Sequence, residues 1–159
     1  MERLEKDLNK QGKEKKDVQI IASSQRKISQ PKTYYHADLL PRWDAFAAAQ
    51  SSNHSLECFE LLRVELPPAP FFTQKLLPIL NNNSKSLMRL QLRGCDLGSS
   101  DVGKIARFVK KSKQLDTLDL SVALDSLRDT KTLSNAIKSH SKLKFVNLSK
   151  WYVMSFAEV

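Results

Sequence analysis

Apolar residues recur at one fixed spacing in three stretches of the chain, which begin at Leu87, Leu115 and Leu143 and lie 28 residues apart. In each stretch apolar and polar residues alternate, as in Leu90-Gln91-Leu92, and alternation places every second side chain on the same face of a β-strand. A looser copy begins at Leu56, 31 residues before Leu87. A unit that repeats about every 20 to 50 residues is typical of a solenoid.

Helical patterns lie between these strand patterns. Val102, Ile105, Ala106 and Val109 follow the i, i+3, i+4, i+7 spacing of an amphipathic helix, and Thr130, Leu133, Ala136 and Ile137 supply the same stripe one unit later. A single strand and a one-striped helix cannot bury their apolar faces alone. Ordering the backbone costs about 1 to 2 kcal/mol per residue, so we expect each unit to be stable only when it is stacked on its neighbours.

The spacing Leu87-x-x-Leu90-x-Leu92-x-x-Cys95-x-Leu97 resembles the leucine-rich repeat, and a 28-residue period with a full helix resembles its ribonuclease-inhibitor class. The resemblance implies an α/β fold, a short leucine-rich-repeat solenoid with parallel strands on the concave side and helices on the convex side. The family places Asn or Cys at the ninth position of the unit. Cys95 matches this pattern, whereas Val64, Ala123 and Trp151 depart from it.

The patterns divide the chain into four segments. Residues 1–17 carry eleven charges and are predicted to be a disordered or frayed helical tail. Residues 18–55, with a strand at 18–22 and a helix at 36–50, are predicted to be a divergent N-terminal capping unit. Residues 56–149 hold the repeats. The apolar and aromatic residues 150–159 are predicted to be a C-terminal cap or a truncated repeat, and self-association through this edge is a further alternative.

The connection after the first clear strand is rich in proline and asparagine. Pro78 lies inside the helical segment 73–80, where it removes a backbone hydrogen bond, so we expect this helix to be short or kinked. The prolines at 67–70 and the asparagines at 81–83 account for the longer first period.

The overall composition bears on the location of the protein and on the charge of its partner. The 159 residues suit one domain, and there is neither a run of 18 apolar residues nor an apolar secretory signal. Cys58 and Cys95 form no disulfide or metal motif. We therefore expect an intracellular, cytoplasmic protein that does not contact a membrane. The net charge of +9 favours an acidic partner.

The sequence offers little catalytic chemistry. The three histidines, His36, His54 and His140, are dispersed and lack a carboxylate or cysteine at motif spacing, and no phosphate-binding glycine motif is present. We expect a protein that is not an enzyme, with no catalytic residues, no metal site and no cofactor. Cys95 is expected to face the interior as an unreactive thiol.

The outward positions of the predicted strands form three rows from unit to unit. The first row holds Cys58, Arg89, Thr117 and Phe145, the second Glu60, Gln91, Asp119 and Asn147, and the third Leu62, Arg93, Ser121 and Ser149. Arginine and aromatic groups together are typical of protein interfaces. We predict a non-catalytic protein–protein interaction module whose partner contacts Glu60, Arg89, Gln91, Arg93, Thr117, Asp119, Phe145 and Asn147. The alternative is that these are only the solvent-facing halves of amphipathic strands. With Leu118 facing inward and Asp119 outward, Leu118→Ala should cost about 2 to 5 kcal/mol and Asp119→Ala should change stability little.

A second candidate surface lies on the helix side, where five cations are clustered: Lys104, Arg107, Lys110, Lys111 and Lys113. This basic patch suggests binding of nucleic acid or another polyanion as an alternative function, although an ordinary solvated helix face explains it too. A GTPase-regulatory accessory role is a further alternative that rests on fold analogy alone.

Overall fold

The computed structural model describes residues 17–21, 33–95, 97–121 and 130–148. These residues form an α/β structure around a five-stranded parallel sheet, in which the strands follow one another in chain order. The strands are β1 (Asp17–Ile21), β2 (Cys58–Leu62), β3 (Arg89–Arg93), β4 (Thr117–Asp119) and β5 (Phe145–Asn147). The helices are α1 (Leu40–Gln50), α2 (Leu77–Asn82), α3 (Ser99–Lys111) and α4 (Thr130–Lys138).

The strand register agrees with the register predicted from the repeat spacing. Phe59, Leu90, Leu118 and Val146 occupy one row across four strands. The first three are fully buried in the core, as are Leu61, Leu92 and Leu120. Alternate residues therefore face the core as predicted, and each fully buried leucine contributes about 1.5 to 3 kcal/mol.

The helices cover the core side of the sheet. The predicted stripe of α3 is confirmed, because Val102, Ile105, Ala106 and Val109 are all buried in the same hydrophobic core as the strand leucines. The stripe of α4 is confirmed at Leu133 and Ala136, while Ile137 is partly buried. Helix α3 contacts both α2 and α4, and α1 contacts the segment Phe72–Leu76, so each unit packs on the next one.

The ends of two N-terminal elements differ from the prediction by a few residues. The first strand is Asp17–Ile21, so Asp17 belongs to a strand and not to the charged tail. The predicted helix at 36–50 is a 3₁₀ turn, Ala37–Leu39, followed by α1. Pro41 explains the break, because proline lacks the N–H that would continue a helix and is accepted only in the first turn.

The helix around Pro78 is short and irregular, as predicted. A π-helical turn, Phe72–Leu76, precedes α2, which spans only six residues with Pro78 in its first turn. Phe72, Leu76, Ile79 and Leu80 are nevertheless buried, so this segment still contributes to the hydrophobic core.

Polar side chains join neighbouring units at the turns that precede the strands. The buried Asn83 accepts from the Leu56 N–H at 2.9 Å and donates to the carbonyls of Asn53 and Ile79, both at 2.8 Å. Two units further on, the His140 ring nitrogen Nε2 lies 2.7 Å from the Ser112 carbonyl oxygen. His140 is therefore a structural residue that links two layers.

The last described strand is less well covered than the others. Val146 faces the core side but is 37% exposed, whereas Leu118 in the same row is fully buried. No described strand pairs with the other edge of β5. The predicted C-terminal cap at 150–159 and most of the charged tail lie outside the described residues. Self-association through this edge stays a prediction.

Candidate binding surface

The strand side chains that point away from the core form a surface that we call the open face. Its described members are Cys58, Glu60, Leu62, Arg89, Gln91, Arg93, Thr117, Asp119, Phe145 and Asn147. The register places Cys58, Arg89, Thr117 and Phe145 side by side, and Glu60, Gln91, Asp119 and Asn147 in the next row. All eight side chains predicted to contact a partner are thus brought onto one surface.

Glu60 is the centre of one polar cluster on this face. Its Oε1 accepts a hydrogen bond from Nε2 of Gln91 at 3.0 Å and lies 3.3 Å from the Cys58 thiol. The guanidinium of Arg89 lies 3.9 Å from the same oxygen. A buried carboxylate is tolerated when such donors replace the water it has lost.

Asp119 is the centre of a second cluster, in which a carboxylate again lies beside an amide and an arginine. Its Oδ1 accepts from the Ser121 N–H at 2.9 Å, and its Oδ2 accepts from the Asn147 amide at 3.1 Å. Arg93 brings its Nε to 3.7 Å from Oδ2. In each cluster a carboxylate therefore accepts a hydrogen bond from an amide of a neighbouring strand and lies within ion-pair distance of an arginine.

The expectation that the outward rows face solvent is wrong for these two carboxylates. The side chains of Glu60 and Asp119 are only 8% and 6% exposed, because neighbouring donors surround them. Strand alternation assigns a face but does not report lateral neighbours. The one sequence signal was the placing of an acid beside an amide in the same row, at Glu60–Gln91 and again at Asp119–Asn147.

A partner can reach other side chains of the open face, and not these two carboxylates. Arg89 and Arg93 remain 53% and 52% exposed, and Phe145 is 52% exposed. Gln91, Thr117 and Asn147 are exposed in part. The open face thus presents two cations, an aromatic ring and several hydrogen-bonding groups above two buried carboxylates that attract the cations.

The basic patch on α3 differs from the prediction at one position. Lys104 is partly buried, because its ammonium donates to Asp101 at 3.2 Å and to the Thr73 hydroxyl. Arg107, Lys110, Lys111 and Lys113 are exposed. Among the residues that the structure describes, no acidic side chain forms an ion pair with these four. The solvent-facing cations of the patch therefore number four and not five.

In the described parts of the chain, no three His, Cys, Asp or Glu side chains come together in a way that would hold a metal ion. None of the described helices has the length and apolar character needed to cross a membrane. Cys95 is buried with its Sγ 3.4 Å from the Leu61 carbonyl oxygen, which confirms that this thiol faces the interior.

Comparison of the sequence with models of known protein families, and with curated proteins, gave no match.

Proposed function

We propose that this chain is a non-catalytic protein–protein interaction module that binds its partner on the open face. The position of Arg89 and Arg93 on this face carries the proposal. Each arginine is half exposed and lies beside a buried carboxylate, Glu60 or Asp119, on a neighbouring strand. Each carboxylate attracts the arginine beside it, and arginines and aromatics are enriched among the residues that dominate interface energies.

The proposal includes the architecture that the repeats predict, a short leucine-rich-repeat solenoid whose concave side is the open face. Three observations support it: the strands follow chain order, the register repeats with the period of the sequence, and successive helices pack in the same order. Solenoids present extended binding surfaces on their concave side. A partner that binds such a concave surface contacts several strands instead of entering a pocket.

Site-specific photocrosslinking tests the proposal in the cell that makes the protein. A photoreactive phenylalanine analogue at Thr117, in the middle of the open face, should join the chain to a defined partner protein. The same analogue at Lys110, on the helix side, is the matched control and should not yield that product. Equal products from both positions would contradict a binding site on the open face.

The captured partner then allows a quantitative test with purified proteins. Arg89→Glu and Phe145→Ala should each weaken binding by more than about 1 kcal/mol, roughly fivefold, because they remove an interface cation and an aromatic anchor. Circular dichroism and melting curves should show that both variants remain folded, since both side chains are half exposed. Unchanged affinity in both folded variants would refute the proposal.

One observation favours polyanion binding as a second candidate: Arg107, Lys110, Lys111 and Lys113 are exposed without an ion pair among the described residues. Binding of single-stranded DNA through phosphate contacts should fall steeply when salt rises from about 50 to about 300 mM. Affinity that is insensitive to salt would exclude this mechanism. No contact among the described residues favours the GTPase-regulatory alternative.

A further inference from the structure

A groove runs between the segment that carries α2 and helix α3, away from the open face. It encloses about 380 Å³ and is lined by Thr73, Leu77 and Asn81 on one side and by Lys104, Arg107, Phe108 and Lys111 on the other. Leu77 is partly buried and packs against the core, whereas Arg107 and Lys111 are exposed. The groove therefore has an apolar floor and a cationic rim, and no acidic side chain is among its described lining residues.

A polar cluster fixes the width of one end of this groove. The Thr73 hydroxyl lies 3.1 Å from Oδ1 of Asp101, and the Lys104 ammonium contacts both the Thr73 hydroxyl and Oδ1 of Asp101. These contacts join the turn before α2 to the first turns of α3. Since Asp101 neutralises Lys104, the cations available to a ligand are Arg107 and Lys111.

Arg107 and Lys111 lie four residues apart on α3, so they point from the same face of the helix, about 5 to 6 Å apart at their Cβ atoms. Carboxylates on one stripe of a second helix have the same spacing. An apolar stripe beside those carboxylates would contact Leu77 on the groove floor. The rim therefore complements a helix that is acidic on one side and apolar on the other.

We propose that this groove binds an acidic amphipathic helix of a partner protein, as a second interaction site that does not depend on the open face. Carboxylates of the partner pair with Arg107 and Lys111, and its apolar residues cover Leu77. Nucleic acid fits the groove less well. Phosphates gain nothing from an apolar floor, and Phe108, the one aromatic ring of the lining, is only 1% exposed and offers no surface for base stacking.

Nuclear magnetic resonance on the full ¹⁵N-labelled chain tests the site directly. The probe is a synthetic helical peptide of about 18 residues, with glutamates on one stripe and leucines on the adjacent one. We expect binding with a dissociation constant below about 1 mM and shifts of the amide signals of Thr73, Leu77, Asn81 and Arg107. Three comparison ligands are a scrambled peptide of the same composition, a peptide with glutamine in place of each glutamate, and an oligothymidylate. Each should bind more weakly.

Two double variants with the same change in net charge distinguish binding in the groove from nonspecific attraction to the basic patch. Arg107→Glu with Lys111→Glu changes the rim, whereas Lys110→Glu with Lys113→Glu changes cations of the same patch that do not line the groove. The rim variant should weaken peptide binding at least tenfold and the control less than about threefold. Asn81→Trp should also block binding, because the indole fills the groove without altering charge.

Several outcomes would overturn the proposal: no binding of the peptide, equal losses in the two double variants, or an oligothymidylate that binds as tightly as the peptide. Unchanged binding in a folded Asn81→Trp variant would do the same. Failure here would leave the open face unaffected, because that site is tested with other residues and another ligand.

Discussion

The Nε atom of Arg93 on β3 lies 3.7 Å from Oδ2 of Asp119 on β4, and the two side chains differ sharply in exposure, 52% against 6%. The carboxylate is thus a buried structural group, while the arginine beside it is accessible to a partner. This division of roles has consequences for stability as well as for binding.

Asp119→Ala should lower the free energy of unfolding by about 1 to 3 kcal/mol. The change leaves the buried Ser121 N–H without its acceptor, and an unpaired buried donor costs about that much. It also removes one hydrogen bond of Asn147. Urea unfolding measures the loss. The control is Asp38→Ala, which removes a carboxylate that is 88% exposed and should change stability by less than about 0.5 kcal/mol. Equal effects for both variants would contradict the structural role of Asp119.

Leu118→Ala should cost about 2 to 5 kcal/mol, because it opens a cavity in the middle of the core. Val146→Ala is a related change in the same row of the sheet, but Val146 is 37% exposed. It should cost less than about 1 kcal/mol, since solvent already reaches that position. Chemical denaturation of both variants checks the prediction, and a larger loss for Val146→Ala would mean that the core extends beyond β5.

Asn83→Ala should destabilise the protein by about 2 kcal/mol or more. Asn83 is fully buried, and its amide joins the Leu56 N–H to two carbonyls, all of which lose a partner in the variant. The adjacent Asn82→Ala removes one exposed hydrogen bond, to the Ser51 carbonyl, and should cost less than about 0.5 kcal/mol. Melting temperatures of the two variants give the comparison, and similar values would argue against a joining role for Asn83.

Gly94→Ala should lower stability by about 1 to 2 kcal/mol, because Gly94 has a positive φ of 63° that disfavours any β-carbon. A β-carbon there would also lie 3.3 Å from Cγ of Arg63 in the neighbouring turn. Gly98→Ala is the control, since its φ is −64° and its nearest contact would be an ordinary 3.6 Å. Thermal unfolding should show a smaller loss for Gly98→Ala, and the reverse order would exclude backbone strain as the cause.

Repeat spacing was enough to predict which residues of neighbouring strands lie side by side. Counting 28 residues from Arg89 reaches Thr117 and then Phe145, and the structure pairs these three residues in that order. The apolar stripe of α3 was predictable for the same reason, because periodicity reports which face of an element is buried. The strand register needs only the 28-residue period, and the helix stripe needs only residues that are close in sequence.

Contacts between units could not be read in this way. Thr73 and Lys104 are 31 residues apart, and His140 bonds to the Ser112 carbonyl 28 residues earlier. Nothing in the local sequence around these polar residues distinguishes them from solvent-facing ones.

The chain's own pattern therefore determined the strand register, the helix stripes and the face to which each side chain belongs, since these follow from local backbone geometry and the burial of apolar residues. The tertiary structure decided which polar groups of those faces are buried, because this depends on donors and acceptors that stacking brings together. Asp119 shows the difference: its position in the row was predictable, and its burial depended on Asn147, Arg93 and Ser121 closing around it.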